Sequence, residues 1–138
     1  MSPSTIPAEI RALGLPDLQG VIVIGGAYLE LRGIRPAVDI DISVSKINWE
    51  YLRDELKWQV FTKGVSLYMR DPDNRFDVWD GWYDRQHSRV IHFDELIDNS
   101  VIHEEGFRVP TVEYQIQLKQ WDGREKDFAD IALLRQAR

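Results

Sequence analysis

Asp39 and Asp41 are the residues whose types and spacing most directly imply chemistry. The stretch 39–45 alternates strictly, with Asp39, Asp41, Ser43 and Ser45 set against Ile40, Ile42 and Val44. A period of two is that of a β-strand, so both carboxylates share one face while the isoleucines anchor the other in a core. Two like charges so close repel each other and raise each other's pKa unless a cation intervenes. A magnesium ion suits the task, because it takes hard oxygen ligands, commonly one or two carboxylates completed by phosphates and water. The plainer alternative is an edge strand with a polar outer face, which Ser43 and Ser45 also suit. An isolated Asp-x-Asp is as a rule the latter.

What lies upstream changes the weighing. Val21-Ile22-Val23-Ile24 is a continuous β-branched run, the pattern of a strand buried on both faces, and it ends in Gly25-Gly26. A helix over 27–32 follows, closed by Gly33. Gly25 and Gly26 allow a sharp turn and leave no side chain at the start of that helix, where backbone N–H groups can hold phosphate oxygens. An ordinary strand-to-helix turn would have the same composition. The stretch is not a dinucleotide fingerprint, which needs a third glycine, nor a P-loop, which needs Gly-Lys-Ser/Thr.

The elements that must position these residues follow from the same patterns. A short helix is expected over 8–13, and Asn48 is expected to cap a helix running to about Lys57. Residues 65–70 and 75–80 flank Asp71-Pro72-Asp73-Asn74, a run of turn formers, so a hairpin is expected there. A short strand over 90–93, a helical turn over 94–97 and two helices, 111–121 capped by Thr111 and about 124–137, complete the chain. The expected class is α+β (α/β): a mixed central sheet backed by helices, with C-terminal helices. No linker, repeat or low-complexity tract divides residues 1–138, so one domain is expected.

Composition narrows the setting. Apolar residues at 43% and charged residues at 29% suit a folded domain rather than a disordered chain. The chain has 0 cysteines, which removes disulfides and cysteine-ligated zinc and points to a reducing, cytoplasmic setting. No apolar run is long enough to span a bilayer, and residues 1–7 lack the features of a signal peptide, so no membrane association is expected. The net charge of -6 disfavours phosphate backbones over the surface as a whole, though local cations and a divalent metal can reverse the sign within one cleft.

Gly25-Gly26, twelve intervening residues and Asp39-Ile40-Asp41-Ile42 together resemble the first signature of the nucleotidyltransferase (polymerase beta-like) superfamily. The local form, Gly25-Gly26-Ala27 through Arg35-Pro36-Ala37-Val38-Asp39, is similar to small bacterial members: AbiEii-type abortive-infection toxins, lincosamide nucleotidyltransferases and minimal nucleotidyltransferases. Arg35 stands where these carry an arginine, and Ala37 departs from their frequent threonine. A second patch agrees. Val109-Pro110-Thr111 leads to a helix carrying Lys119, then Arg124-Glu125-Lys126-Asp127-Phe128-Ala129-Asp130, similar to the family's helix lysine followed by Arg-x-Lys-Asp-x-x-Asp. The resemblance implies a nucleotidyltransferase fold and transfer of a nucleoside monophosphate from an NTP to a hydroxyl or phosphate acceptor, with Mg2+ or Mn2+ held by Asp39 and Asp41.

It also implies a third carboxylate on a neighbouring strand, as metal ligand and base. Asp77 is the candidate, because it shares a strand face with Arg75 and Trp79 while Phe76 and Val78 take the other; Asp80 is the alternative, and a solvated hairpin carboxylate is the plain one. Gly25, Gly26, Arg35 and Lys119 are the expected nucleotide-binding residues. Lys119 emerges at the edge of a packed helix stripe formed with Val112 and Ile116, where a surface lysine is also expected. Asp127 and Asp130 are assigned to supporting Lys119 or Arg35, with a Lys126–Asp130 helix pair as the alternative. Trp79 and Trp82 lie near the site and are expected mainly to pack. His87, His92 and His103 have no spacing suited to zinc.

Two functional classes remain open. One is a metal-dependent nucleotidyltransferase acting on a small molecule, a tRNA end or a protein, within a toxin–antitoxin or phage-defence system, with the acceptor supplied by a partner or across a homodimer. The other is a non-catalytic binding or antitoxin-like regulatory module that keeps the fold.

Overall fold

All four residues of the run Val21–Ile24 are buried in a strand covered on both faces, as the unbroken apolar pattern requires. A computed structural model describes residues 3–137. Its elements run α1 (Ile6–Ala12), β1 (Val21–Ile24), α2 (Gly25–Leu31), β2 (Ile40–Val44), α3 (Lys46–Glu50), β3 (Val60–Lys63), β4 (Ser66–Arg70), β5 (Phe76–Asp80), β6 (Trp82–Asp84), β7 (Arg89–Ile91), α4 (Phe93–Asp98), β8 (Ser100–Ile102), β9 (Arg108–Pro110), α5 (Val112–Asp122) and α6 (Glu125–Ala137). Seven strands form one mixed sheet in the order β3-β4-β5-β2-β1-β9-β8, and β6 and β7 pair separately. The expected α+β class with a mixed sheet and C-terminal helices therefore holds. No helix among the described residues is long and apolar enough to cross a membrane.

The sheet places the carboxylate strand at its centre. β2 lies antiparallel to β1, with Asp41 opposite Ile24, and parallel to β5, with Asp41 opposite Asp77. One sheet face carries Val21, Val23, Ile40, Ile42, Val44, Met69, Phe76 and Val78 into a core with Ile6 and Ile10 of α1 and Trp49 and Leu52. The other face puts Ile22 and Ile24 against Leu118 of α5, Ile91 and Leu96. Tyr28 and Leu29 of α2 meet Ile116, Ile131 and Leu134, which ties the two C-terminal helices to the helix after β1. Each such side chain stabilises the fold by about 1.5–3 kcal/mol when fully buried.

Several expectations need correction. Asn48 does not cap a helix: α3 begins at Lys46 after Ser45, and continues as a π-helical stretch over Tyr51–Glu55. Asn48 is instead buried, accepting from Asp17 N at 3.0 Å and donating to Gly20 O at 3.0 Å, so its amide fastens the segment before β1. Its amide also donates to Asp17 O at 2.6 Å, so the carbonyls flanking the 3-10 turn Leu18–Gly20 engage the side chain that a cap would have used. Strands β3, β6, β8 and β9 had no sequence expectation. β3 is an exposed edge strand and β6, β8 and β9 have three residues each, too short for a periodic signal. Thr111 caps α5 as expected, accepting from Tyr114 N at 3.2 Å.

Candidate functional site

A cleft of about 540 Å3 is walled by the Gly25-Gly26 turn, the segment from Arg35 to Asp41, Trp82, and the facing sides of α5 and α6. It brings together Asp39, Asp41, Gly25, Gly26, Arg35 and Lys119, six of the seven residues singled out from the sequence. The seventh, Asp77, is the cross-strand partner of Asp41 but does not line the cleft. Asp80 ends the same strand, exposed and three positions beyond Asp77. It pairs with Leu67 on the opposite face from Asp77.

Gly25 is required by this geometry. It has φ +65, and a Cβ there would lie 2.9 Å from Asp41 Oδ2. The backbone thus turns against the carboxylate itself, in a conformation and a space that only glycine suits. Gly25→Ala is expected to cost about 1–3 kcal/mol through the left-handed backbone alone, and to displace Asp41 as well. Chemical denaturation checks the first effect. A wild-type stability for this variant would mean that the turn relaxes freely. Gly26 is less constrained, since a Cβ there would make ordinary contact with the Arg35 guanidinium at 3.5 Å.

Asp41 sits in a divided field. Its pKa is pushed up to about 6, foremost by burial and further by the neighbouring charges of Asp77 and Asp39, while Trp79 and Lys119 pull it down. Trp79 Nε1 donates to Asp41 Oδ1 at 3.1 Å. Asp39 is exposed and makes no hydrogen bond or ion pair among the described residues. The pair thus offers oxygens to a cation. Among the described residues no group of three His, Asp or Glu side chains is placed to hold a metal ion. The donor set therefore fits an ion that takes two carboxylates and fills its remaining positions from phosphate and water, as magnesium does.

The opposite wall is a chain of alternating charges. Arg35 Nε and Nη2 donate to the two oxygens of Asp130 at 2.9 and 2.8 Å. Lys119 Nζ donates to Asp130 at 2.8 Å and to Asp127 at 3.4 Å. Arg124 Nε donates to Asp127 at 3.0 Å, and its guanidinium also meets Asp122. Burial alone would raise Asp127 and Asp130, yet the hydrogen bonds from Arg124 and Arg35 and the charge of Lys119 hold both below the usual carboxylate range. Burial, reinforced by Asp127, raises Asp122. Asp127 and Asp130 thus support Lys119 and Arg35, as expected. The alternative Lys126–Asp130 helix pair does not form, because Asp130 turns inward. Lys126 is left exposed on the cleft with no carboxylate partner among the described residues.

Three contributors were not among the site residues expected from the sequence. Trp79 was expected to pack and does, but it also fixes Asp41; the alternation of β5 had already set it on the face of Asp77. Gln115 donates from Nε2 to Gly25 O at 3.3 Å and so braces the turn, while its Oε1 is buried without a protein partner. Its position four residues before Lys119 puts both on one side of α5, which was the available signal. Arg70 donates to Asp77 through Nε at 2.8 Å and Nη2 at 3.0 Å. No protein-family model, no curated protein and no solved structure matches this chain.

Proposed function

We propose that the chain is a nucleotidyltransferase-fold protein that binds an NTP with a divalent ion, Mg2+ or Mn2+, and transfers the nucleoside monophosphate to an acceptor. The observation that carries this reading is the convergence of Asp39 and Asp41 with Gly25, Gly26, Arg35 and Lys119 on one cleft. The motifs that resemble the superfamily lie far apart in sequence, and that resemblance supplies the reaction. The acceptor class (small molecule, tRNA end or protein) and a role in a toxin–antitoxin or phage-defence system rest on the same resemblance.

In this reading Asp39 and Asp41 hold the ion. Magnesium there supplies neutralisation of the charge that develops on the phosphates. Gly25 and Gly26 keep side chains out of the space beside Asp41, so phosphate oxygens can approach the backbone. Lys126 contributes a cation that no carboxylate has already engaged, whereas Arg35 and Lys119 reach the cleft as members of ion pairs. Asp77, the cross-strand neighbour of Asp41, lies outside the cleft with both carboxylate oxygens engaged by Arg70.

The test is calorimetric titration with an NTP, with and without magnesium or manganese. Binding is expected only with the ion, and Lys126→Ala is expected to weaken it by about 0.5–1.5 kcal/mol, roughly a net hydrogen bond's contribution. Equal binding with and without metal would remove the carboxylates from the site. A second reading, a non-catalytic module, is favoured by one observation: Arg35, Lys119 and Asp77 are all already satisfied within the protein. Metal-dependent binding without turnover on any acceptor would support it.

A further inference from the structure

Arg70 stands beside the carboxylates yet has no part in the cleft. The registers of three adjacent strands align Arg70 of β4, Asp77 of β5 and Asp41 of β2 across one face of the sheet. Arg70 meets both oxygens of Asp77, at 2.8 and 3.0 Å, and the side chains are 41% and 13% exposed respectively. This two-point arrangement is the strongest hydrogen-bonded form of a carboxylate pair, and it holds the plane of the carboxylate as well as its charge. Asp77 therefore differs from its neighbours. Asp39 has no bonded partner among the described residues, and Asp41 has one neutral donor, Trp79. All three lie close enough that Asp77 and Asp39 both repel charge on Asp41.

We propose that Arg70 is a built-in counter-cation that keeps Asp77 out of the metal's ligand set, so that Asp39 and Asp41 alone hold one divalent ion. The inference rests on the metal-site reading above. A third free carboxylate would add both a ligand and a negative charge, and affinity for hard cations rises with both. The guanidinium removes both. It sets a ceiling on metal affinity and leaves the ion's remaining positions to phosphate and water. Arg70 is thus a positioning residue, acting through Asp77 rather than on a substrate.

Manganese alone is the probe, titrated into the whole protein and followed by the electron paramagnetic resonance of the free ion. The wild type is expected to bind one ion, and Asp77→Asn to leave its affinity within about twofold, because a non-ligand is lost. Arg70→Gln is expected to bind roughly tenfold tighter or to take a second ion, since a third carboxylate is released. Arg70→Gln with Asp77→Asn should return to the wild-type value, and Arg70→Lys should fall between wild type and Arg70→Gln, because the charge remains while the two-point hold is lost. A purely structural Arg70 would not give a gain that vanishes with Asp77. The proposal is overturned if Arg70→Gln binds no tighter, or if Asp77→Asn alone weakens binding tenfold. The second criterion decides the matter even if Arg70→Gln does not fold. Should neither wild type nor variants bind manganese, the metal-site reading falls with it; wild-type binding that Arg70→Gln leaves unchanged sinks the Arg70 proposal alone.

Discussion

On the proposed function, Asp39→Asn and Asp41→Asn are expected to lose nucleotidyl transfer by about a thousandfold, because the ion proposed for them would supply several kcal/mol of charge stabilisation. The same substitutions should not harm the fold. Asp41 is held at a pKa of about 6, by burial first and then by Asp77 and Asp39. Its unfolded value is about 3.9. The folded state therefore binds more protons than the unfolded state between these two values. The stability that Asp41 contributes is complete below pH about 4 and is lost as pH rises through about 6. Above that, its ionisation costs the fold up to about 3 kcal/mol, and asparagine removes the cost. Metal-free Asp41→Asn should thus be more stable than wild type at pH 8, with the difference closing near pH 4.

Urea unfolding with a chelator at the two pH values measures this, alongside an activity assay on the same preparations. Added magnesium should stabilise the wild type in proportion to its binding and leave Asp41→Asn nearly unmoved. If Asp41→Asn is less stable than wild type at pH 8, Asp41 is a structural carboxylate fixed by Trp79. If the Asp39→Asn, Asp41→Asn double variant keeps its full biological effect, the enzyme reading gives way to the binding module.

Legibility in the sequence tracked how local each signal was. Val21–Ile24 and the alternation through Ile40–Val44 were plain, because period and apolar content agree within a few residues. The hairpin was legible but its register was not. A turn confined to 71–74 would set Arg70 opposite Arg75. Asp71 Oδ1 instead accepts from Arg75 N and Phe76 N, both at 2.7 Å, while Asp71 N donates to Phe76 O at 3.3 Å, and Arg70 comes opposite Asp77. One buried side-chain acceptor thus decided which cation faces the carboxylate. The Arg35–Asp130 pair joins residues 95 apart, and no local pattern reports it. Only the motif resemblance placed Arg35 and Asp130 in one site. Conversely, Lys126 and Asp130 had ideal helical spacing and did not pair, since a buried cation, Lys119, competes more strongly for Asp130 than a solvated one.

That competition leads to the largest expected effect on stability, from Lys119→Met. Lys119 is 7% exposed and its two partners, Asp127 and Asp130, are 1% and 6% exposed. Removing one member of a buried ion pair leaves uncompensated charge in a poorly solvated place, which costs about 3–5 kcal/mol in general. Here Arg35 still holds Asp130 and Arg124 still holds Asp127, so the lower end, about 3 kcal/mol, is expected, with a melting temperature lower by roughly 10 °C. The pH dependence distinguishes this from a loss of packing. Both aspartates have depressed pKa values in the fold, so the stability they contribute is present above the unfolded value and is lost as pH falls below it. The deficit of Lys119→Met should therefore be largest at neutral pH and shrink towards pH 3, opposite in slope to the effect expected for Asp41. A deficit constant with pH would mean that Lys119 acts through its apolar stem. No deficit at all would mean that α5 and α6 are held by Ile116, Ile131 and Leu134 alone, leaving Lys119 free to serve a ligand in the cleft.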